Sequence, residues 1–86
     1  MNHSAARAKA QSLRRQIRKG KYLNIPASPA ENEVDGAAIA SNIRMNGSKY
    51  EVEHLRNGEK DTRNMHAVDA LITSALMNGM KPELKG

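Results

Sequence analysis

The sequence contains three Asn-Gly dipeptides, and the secondary structure that each one terminates or connects determines the fold class of the chain. They lie at Asn46-Gly47, Asn57-Gly58 and Asn78-Gly79. Asn-Gly is typical of two-residue β-hairpin turns and also of helix ends, because both need a residue that tolerates positive φ. The dipeptide alone therefore does not distinguish a hairpin from a helix end, and the flanking residues must be considered.

The segment before the third dipeptide indicates a helix. Apolar residues recur there at helical spacing, and Pro82 follows the dipeptide, as is common after a helix. We therefore predict a helix from Asp61 or Thr62 to Asn78. Its core-facing stripe consists of Met65, Val68, Ile72, Ala75 and Leu76 and is flanked by Leu71, while Met77 and Met80 lie off the stripe.

The segment between the first two dipeptides is predicted to be a short helix over residues 48–56. Ser48 and Glu51 form an S-x-x-E capping box, and Val52 and Leu55 share one helical face. Asn57-Gly58 would then supply the C-terminal stop.

The alternative for the same segment is a hairpin. With Asn46-Gly47 as the two turn residues, Arg44 would face Lys49, which is unfavourable. The helical interpretation is preferred, and an α+β arrangement of helix, hairpin and helix remains the alternative.

Two further helices are predicted nearer the N-terminus. The first runs over residues 4–19 and ends at Gly20, with a narrow apolar stripe. The second runs over residues 29–45, with a capping box formed by Ser28 and Glu31. The apolar stripe of the first helix consists of Ala6, Ala10, Leu13 and Ile17.

Composition supports helices throughout. The chain has 86 residues with no Phe or Trp and two Tyr, so its core must be aliphatic. Such a core suits packed helices better than a sheet, which favours aromatic and β-branched residues. We predict an all-α fold, a small helical bundle. Residues 1–28 would form a basic N-terminal helix or arm with a proline-containing connector, and residues 29–86 a compact helical domain.

Basic charge is concentrated at the N-terminus. The net charge is +5, and residues 1–21 contain seven Lys and Arg with no Asp or Glu. Such an asymmetry indicates a polyanionic partner, above all nucleic acid. The predicted phosphate-binding residues are Arg7, Arg14, Arg15, Arg18 and Lys19.

The series Ser48, Val52, Leu55 and Asn57-Gly58 resembles the helix-turn-helix of the lambda repressor and Cro superfamily, over about residues 36–79. The resemblance implies that the helix over residues 48–56 is a recognition helix that enters the DNA major groove. Its implied DNA-binding residues are Ser48, Lys49, Tyr50, Glu53, His54 and Arg56.

No catalytic or metal-binding motif is found. His54, His66 and Asp69 are the only candidates, and they lack a further ligand at a recognisable spacing. There is no cysteine and no apolar run of about 18 residues. We expect no catalytic residues, no metal, no cofactor and no membrane insertion, and a cytoplasmic location.

Two functional hypotheses follow. The first is a small sequence-specific DNA-binding transcriptional regulator of phage or mobile-element type, acting as a homodimer on duplex DNA. The second is a small adaptor or inhibitor whose basic arm binds RNA or an acidic protein surface of a cellular complex.

Overall fold

The computed structural model describes residues 1–26 and 40–86. These residues form an α+β structure, in which two helices accompany a five-stranded antiparallel sheet. The elements are α1 (His3–Arg18), β1 (Tyr22–Ile25), β2 (Ser41–Asn46), β3 (Lys49–His54), β4 (Lys60–Arg63), α2 (Met65–Met77) and β5 (Glu83–Lys85). The strand order is β4-β3-β2-β1-β5. The predicted all-α bundle is therefore wrong.

The first Asn-Gly dipeptide belongs to the β2–β3 hairpin, and the predicted helix over residues 48–56 is wrong. The two turn residues are Gly47 and Ser48, because Asn46 and Lys49 form the last pair of the ladder. Gly47 has φ of +65°, as the first position of a type II′ turn requires.

This one-residue shift of the turn removes the objection to a hairpin. Arg44 pairs with Glu51 instead of Lys49, so opposite charges face each other. Ile43 pairs with Val52, and both side chains are fully buried. The recognition helix implied by the helix-turn-helix resemblance is thus replaced by a strand.

The second Asn-Gly dipeptide lies in the loop between β3 and β4. The amide of His54 donates to the carbonyl of Glu59 at 2.8 Å, and the amide of Gly58 donates to the carbonyl of His54 at 2.8 Å. Gly58 has φ of +73°. The dipeptide closes a hairpin loop here and does not end a helix.

The third dipeptide ends α2, as predicted. The amide of Gly79 donates to Leu76 and that of Met80 to Ala75, which is the bonding pattern of a Schellman motif. Met80 is buried beneath this end. The end of α1 at Gly20 is likewise confirmed, with the equivalent bonds from Gly20 to Ile17 and from Lys21 to Gln16.

The predicted helix over residues 29–45 is wrong in its last part, where Ser41–Asn46 forms β2. Its proposed capping box at Ser28 and Glu31 lies outside the described residues, and so does the boundary between residues 28 and 29.

The helices cover one face of the sheet. Leu23 of β1, Ile43 of β2 and Val52 of β3 are register partners in successive strands, and all three are fully buried. They share the core with Ala10 and Ile17 of α1 and with Val68, Ile72 and Ala75 of α2. The predicted stripe of α1 is confirmed as its buried face. Met65, predicted to lie in the core, is 39% exposed.

The opposite face of the sheet carries polar side chains. Asn24 of β1 and Asn42 of β2 are register partners on this face, and the Asn24 Nδ2 donates to the Asn42 Oδ1 at 2.7 Å. The remaining residues of this face include Arg44, Glu51 and Glu53. In the part of the chain that the structure describes, no helix has the length and apolar character needed to cross a bilayer.

Candidate nucleic-acid interface

Arg14 is engaged within the fold. Its Nε lies 2.9 Å from Asp69 Oδ1 and its Nη2 lies 3.3 Å from Oδ2, so the guanidinium binds the carboxylate in a bidentate manner. The two side chains are 12% and 14% exposed. The hydrogen bond with Asp69 raises the pKa of Arg14 above its ordinary value. Arg14 therefore connects α1 to α2. The prediction that Arg14 binds phosphate is not supported by this position.

The other predicted phosphate-binding residues of α1 are exposed. Arg18 lines a recess of about 410 Å³ together with basic residues of other elements. We call this recess the cationic pocket. Its lining residues are Arg18, Ser48, Lys49, Tyr50, Thr62, Arg63, Asn64 and Met65.

Tertiary structure assembles the cationic pocket. The end of α1 supplies Arg18, β3 supplies Lys49 at the tip of the β2–β3 hairpin, and the edge strand β4 supplies Arg63. No acidic side chain lines the pocket among the described residues. Cations that converge in this way favour an anionic ligand.

Arg63 is held in place by a neighbour outside the lining. Its Nε donates to Asp61 Oδ1 at 3.1 Å, and His54 Nε2 lies 3.0 Å from Asp61 Oδ2. The hydrogen bond with His54 lowers the pKa of Asp61 below its usual value, and the contact with Arg63 lowers it further. The carboxylate is therefore charged at neutral pH, and it offsets part of the charge of Arg63.

The N-terminus of α2 forms another side of the pocket. Asn64 is the N-cap, and its side chain accepts from the amide of Ala67 at 2.9 Å. The amides of Met65 and His66 lie in the first turn of α2, so no carbonyl within the helix accepts from them. They carry part of the positive end of the helix dipole. This end adds hydrogen-bond donors to the three cationic side chains.

Tyr50 forms the floor of the pocket. The residue is 2% exposed. Its buried hydroxyl makes no hydrogen bond of good geometry, but it interacts with the Arg14 side chain and helps to raise the pKa of Arg14.

A second basic recess, of about 370 Å³, lies beside the cationic pocket. Lys21 and Arg44 line it, and the Arg44 guanidinium carbon lies 5.9 Å from the centre of the Tyr22 ring. The recesses adjoin because Met45 of one and Tyr50 of the other are register partners. We call the shared surface the cationic end; its basic residues are Arg18, Lys21, Arg44, Lys49 and Arg63.

The six residues of the predicted recognition helix do not share one face. Ser48, Lys49 and Tyr50 line the cationic pocket. Side chains alternate between the faces of a strand, so Lys49 shares the polar face with Glu53, whereas the Tyr50 side chain is on the helix-covered face. His54 lies beside Asp61, and Arg56 lies in the β3–β4 loop.

The sequence analysis missed Lys21, Arg44, Thr62, Arg63 and Asn64 as site residues. The available signal was the polar run Thr62-Arg63-Asn64 before the α2 stripe, which the prediction treated as the start of the helix. Its place beside Arg18 follows from strand pairing and is not visible in the sequence.

The three residues considered as metal ligands lie in two separate parts of the structure. His66 and Asp69 line a groove of about 430 Å³ between α1 and α2, together with His3 and Arg7. His54 lies instead at β3 beside Asp61. Within residues 1–26 and 40–86, no group of three His, Asp or Glu side chains is arranged to hold a metal ion.

Comparison of the chain with protein-family models, with curated proteins and with solved structures finds no match.

Proposed function

We propose that the protein binds duplex nucleic acid, with DNA as the leading partner, through phosphate contacts made by the cationic end. The observation that carries this proposal is the convergence of basic side chains from α1, β2, β3 and β4 on one end of the fold. Basic groups clustered on one surface are the electrostatic footprint of nucleic-acid binding, because they displace counterions from the phosphate backbone.

The charge of this end is only partly neutralised within the protein. Glu51 lies 3.7 Å from Arg44, and Asp61 lies 3.1 Å from Arg63. Exposed ion pairs of this kind are weak, typically worth about 0–1 kcal/mol. Exchanging them for contacts with phosphates therefore costs little.

The chemistry of the site favours backbone contacts over base reading. Lys and Arg contacts with phosphates supply affinity and position, whereas sequence is read by side chains that reach base edges. The residues once assigned to base reading are divided between different surfaces. We therefore infer that the protein binds the duplex with little sequence preference. Any regulatory effect would then arise because the bound protein blocks access of other proteins to the duplex.

The test is a binding titration of the full chain with a mixed-sequence DNA duplex, repeated at salt concentrations between 50 and 200 mM. Fluorescence anisotropy of the labelled duplex measures the affinity at each concentration. Four phosphate contacts give a slope of log K against log salt of about −3.6, and an affinity loss of roughly 150-fold over this range. Binding that is absent or insensitive to salt would overturn the proposal and favour the adaptor hypothesis.

A matched pair of double variants locates the interface. Lys21→Gln with Lys49→Gln should weaken binding and reduce the slope by about 1.8, because two contacts are lost. Lys9→Gln with Lys81→Gln removes the same charge from exposed positions outside the cationic end, and it should change the slope little. Equal effects of the two variants would contradict the assignment of the surface.

A further inference from the structure

We propose that Asn46, at the turn of the β2–β3 hairpin, is a site of spontaneous deamidation, and that the carboxylate formed there weakens the cationic end. The modification depends on the geometry of the turn alone, whereas its effect on binding rests on the proposed function. The chain contains three Asn-Gly dipeptides, and the structure distinguishes them by the hydrogen bonds that hold each one.

Deamidation of an Asn-Gly dipeptide needs only the chain and water. Solvent removes the proton of the Gly47 nitrogen, which then forms a bond to Cγ of Asn46; glycine has no Cβ to hinder this approach. The bond from Cγ to Nδ2 breaks, and Nδ2 takes up a proton and leaves as ammonia. Water opens the cyclic imide at its side-chain carbonyl to give aspartate, or at its backbone carbonyl to give isoaspartate. In both products a neutral residue has gained a carboxylate.

The attacking nitrogen is free at the first dipeptide. Gly47 lies in the turn, outside the paired residues of β2 and β3, and no backbone carbonyl in the part of the chain that the structure describes accepts from its amide. Asn46, Gly47 and Ser48 are exposed, and the space where a Gly47 side chain would lie is open. The nitrogen can therefore lose its proton to solvent, and water can reach the imide.

The second dipeptide is held at both reacting groups. The amide of Gly58 donates to the carbonyl of His54 at 2.8 Å, and the Asn57 Oδ1 accepts from the amide of Glu59 at 2.9 Å. A nitrogen that already donates its proton to a carbonyl has to give up that hydrogen bond before it can attack. We therefore expect Asn57 to react slowly in the folded protein.

The third dipeptide is held in the same way at the end of α2. The amide of Gly79 donates to the carbonyl of Leu76 at 3.2 Å, and the Asn78 Nδ2 donates to the carbonyl of Ser74 at 2.8 Å. Reaction here requires the last turn of the helix to open. We therefore expect Asn78 to be protected as well.

The Asn46 side chain is held less firmly. Its Nδ2 donates to Glu51 Oε1 at 3.2 Å in an exposed hydrogen bond. Asn46 and Lys49 form the last pair of the ladder, so the tip of the hairpin can open while the pairs behind it stay formed. Arg44 and Lys49 lie on the same face of the sheet as Asn46. Cationic neighbours favour anionic forms, here the deprotonated amide that attacks.

The product places a negative charge within the cationic end. Asn46 follows Met45, which lines the second basic recess, and pairs with Lys49, which lines the cationic pocket. A carboxylate at this position offsets the charge of one basic side chain. It also faces the Glu51 carboxylate, to which the amide now donates, and two like charges repel. Isoaspartate further inserts a methylene group into the backbone of the turn that carries Lys49. We expect the modified protein to bind duplexes less tightly.

The first test compares the three dipeptides within one sample. The full chain is incubated in mildly alkaline buffer, either folded or in guanidinium chloride, and is then digested with an acid protease. Mass spectrometry with chromatographic separation of the isomers quantifies aspartate and isoaspartate at each position. In the folded protein we expect Asn46 to react about fivefold faster than Asn57 and Asn78, or more, which is the factor that one intact hydrogen bond contributes.

Two results of this test would overturn the proposal. The first is a rate at Asn57 or Asn78 that equals or exceeds the rate at Asn46 in the folded protein. The second is the same preference for Asn46 in guanidinium chloride, because the local sequence and not the turn would then be its cause. Either result would leave the proposed function in place.

Matched variants separate the modification from its effect on binding. Asn46→Gln should stop the reaction at this position, because the larger imide ring of glutamine forms far more slowly, and its affinity for a DNA duplex should not change on incubation. Asn57→Gln is the control, and it should lose affinity on incubation as the unaltered chain does. Loss of affinity in Asn46→Gln equal to that of the control would overturn the assignment to Asn46.

Asn46→Asp reproduces the new charge without the extra backbone atom. It should reduce the slope of log K against log salt by about 0.9, because one basic side chain is neutralised, and circular dichroism checks that the variant is folded. An unchanged slope and affinity, both here and in incubated protein, would overturn the effect on binding but not the proposed function. A protein that deamidates at Asn46 and binds no duplex would overturn the proposed function together with this effect, and the modification site would stand.

Discussion

Arg14 illustrates how one tertiary contact changes the role of a basic residue. It lies on α1 among other Arg and Lys side chains, yet its guanidinium binds Asp69 of α2 through two hydrogen bonds. Both side chains are largely buried. A partly buried pair with this geometry positions two helices, and removing one partner leaves the other poorly solvated.

We predict that Arg14→Gln and Asp69→Asn each lower the free energy of unfolding by about 1–3 kcal/mol, because each leaves one member of the pair without its hydrogen-bond partner. The double variant should lose less than the sum of the single losses. Urea unfolding measures all three values.

Arg15→Gln is the matched control, because Arg15 is adjacent in sequence but exposed, and its effect on stability should stay within about 0.5 kcal/mol. Arg14→Gln should also leave the salt dependence of DNA binding unchanged. A steep loss of that dependence in folded protein would show that Arg14 contacts phosphate after all.

At the scale of the element, the β2–β3 hairpin determines where the site lies. Its turn places Ser48 and Lys49 beside the end of α1, and its register places Tyr50 at the floor of the pocket. Gly47 makes this turn with φ of +65°. The left-handed conformation costs a residue with a Cβ about 1–2 kcal/mol.

We predict that Gly47→Ala lowers the free energy of unfolding by about 1 kcal/mol, because alanine is strained at positive φ. Gly47→Asn should cost a similar amount, because the first position of a type II′ turn combines φ of about +60° with ψ of about −120°, outside the left-handed helical region that asparagine tolerates. Thermal or urea unfolding of both variants provides the measurement. If asparagine were tolerated as well as glycine, the turn would have to be of type I′ and not the type II′ turn described.

At the scale of the whole molecule, α1 is part of the folded core. Ala10 and Ile17 belong to the same buried cluster as Leu23 of β1 and Ile72 of α2. For 86 residues, a total stability of about 4–13 kcal/mol is usual. Burying one large aliphatic side chain is therefore a substantial share of what keeps this protein folded.

We predict that deletion of residues 1–19 prevents folding, because it exposes the core surface that α1 covers. Ile17→Ala, a milder change, should lower the free energy of unfolding by about 2–4 kcal/mol through loss of buried volume. Circular dichroism and amide NMR dispersion measure both outcomes. A well-dispersed spectrum from residues 20–86 would show that α1 is an appended arm and not part of the core.

The sequence by itself determined the features that depend on near neighbours. The apolar stripe of α1, its end at Gly20 and the end of α2 at Asn78-Gly79 follow from helical spacing and from glycine at positive φ. The concentration of basic charge at the N-terminus is likewise a property of the sequence alone.

Tertiary structure decided the fold class and the site. A capping-box pattern and a strand pattern coexist in residues 48–56, and pairing between Ile43 and Val52 selects the strand because it buries both side chains. The pairing of β3 with β4, in which Tyr50 is opposite Arg63, brings Arg63 to the recess that Arg18 lines. Contacts between residues far apart in the chain carry no local signal, so neither the sheet nor the cationic pocket was visible before the strands were paired.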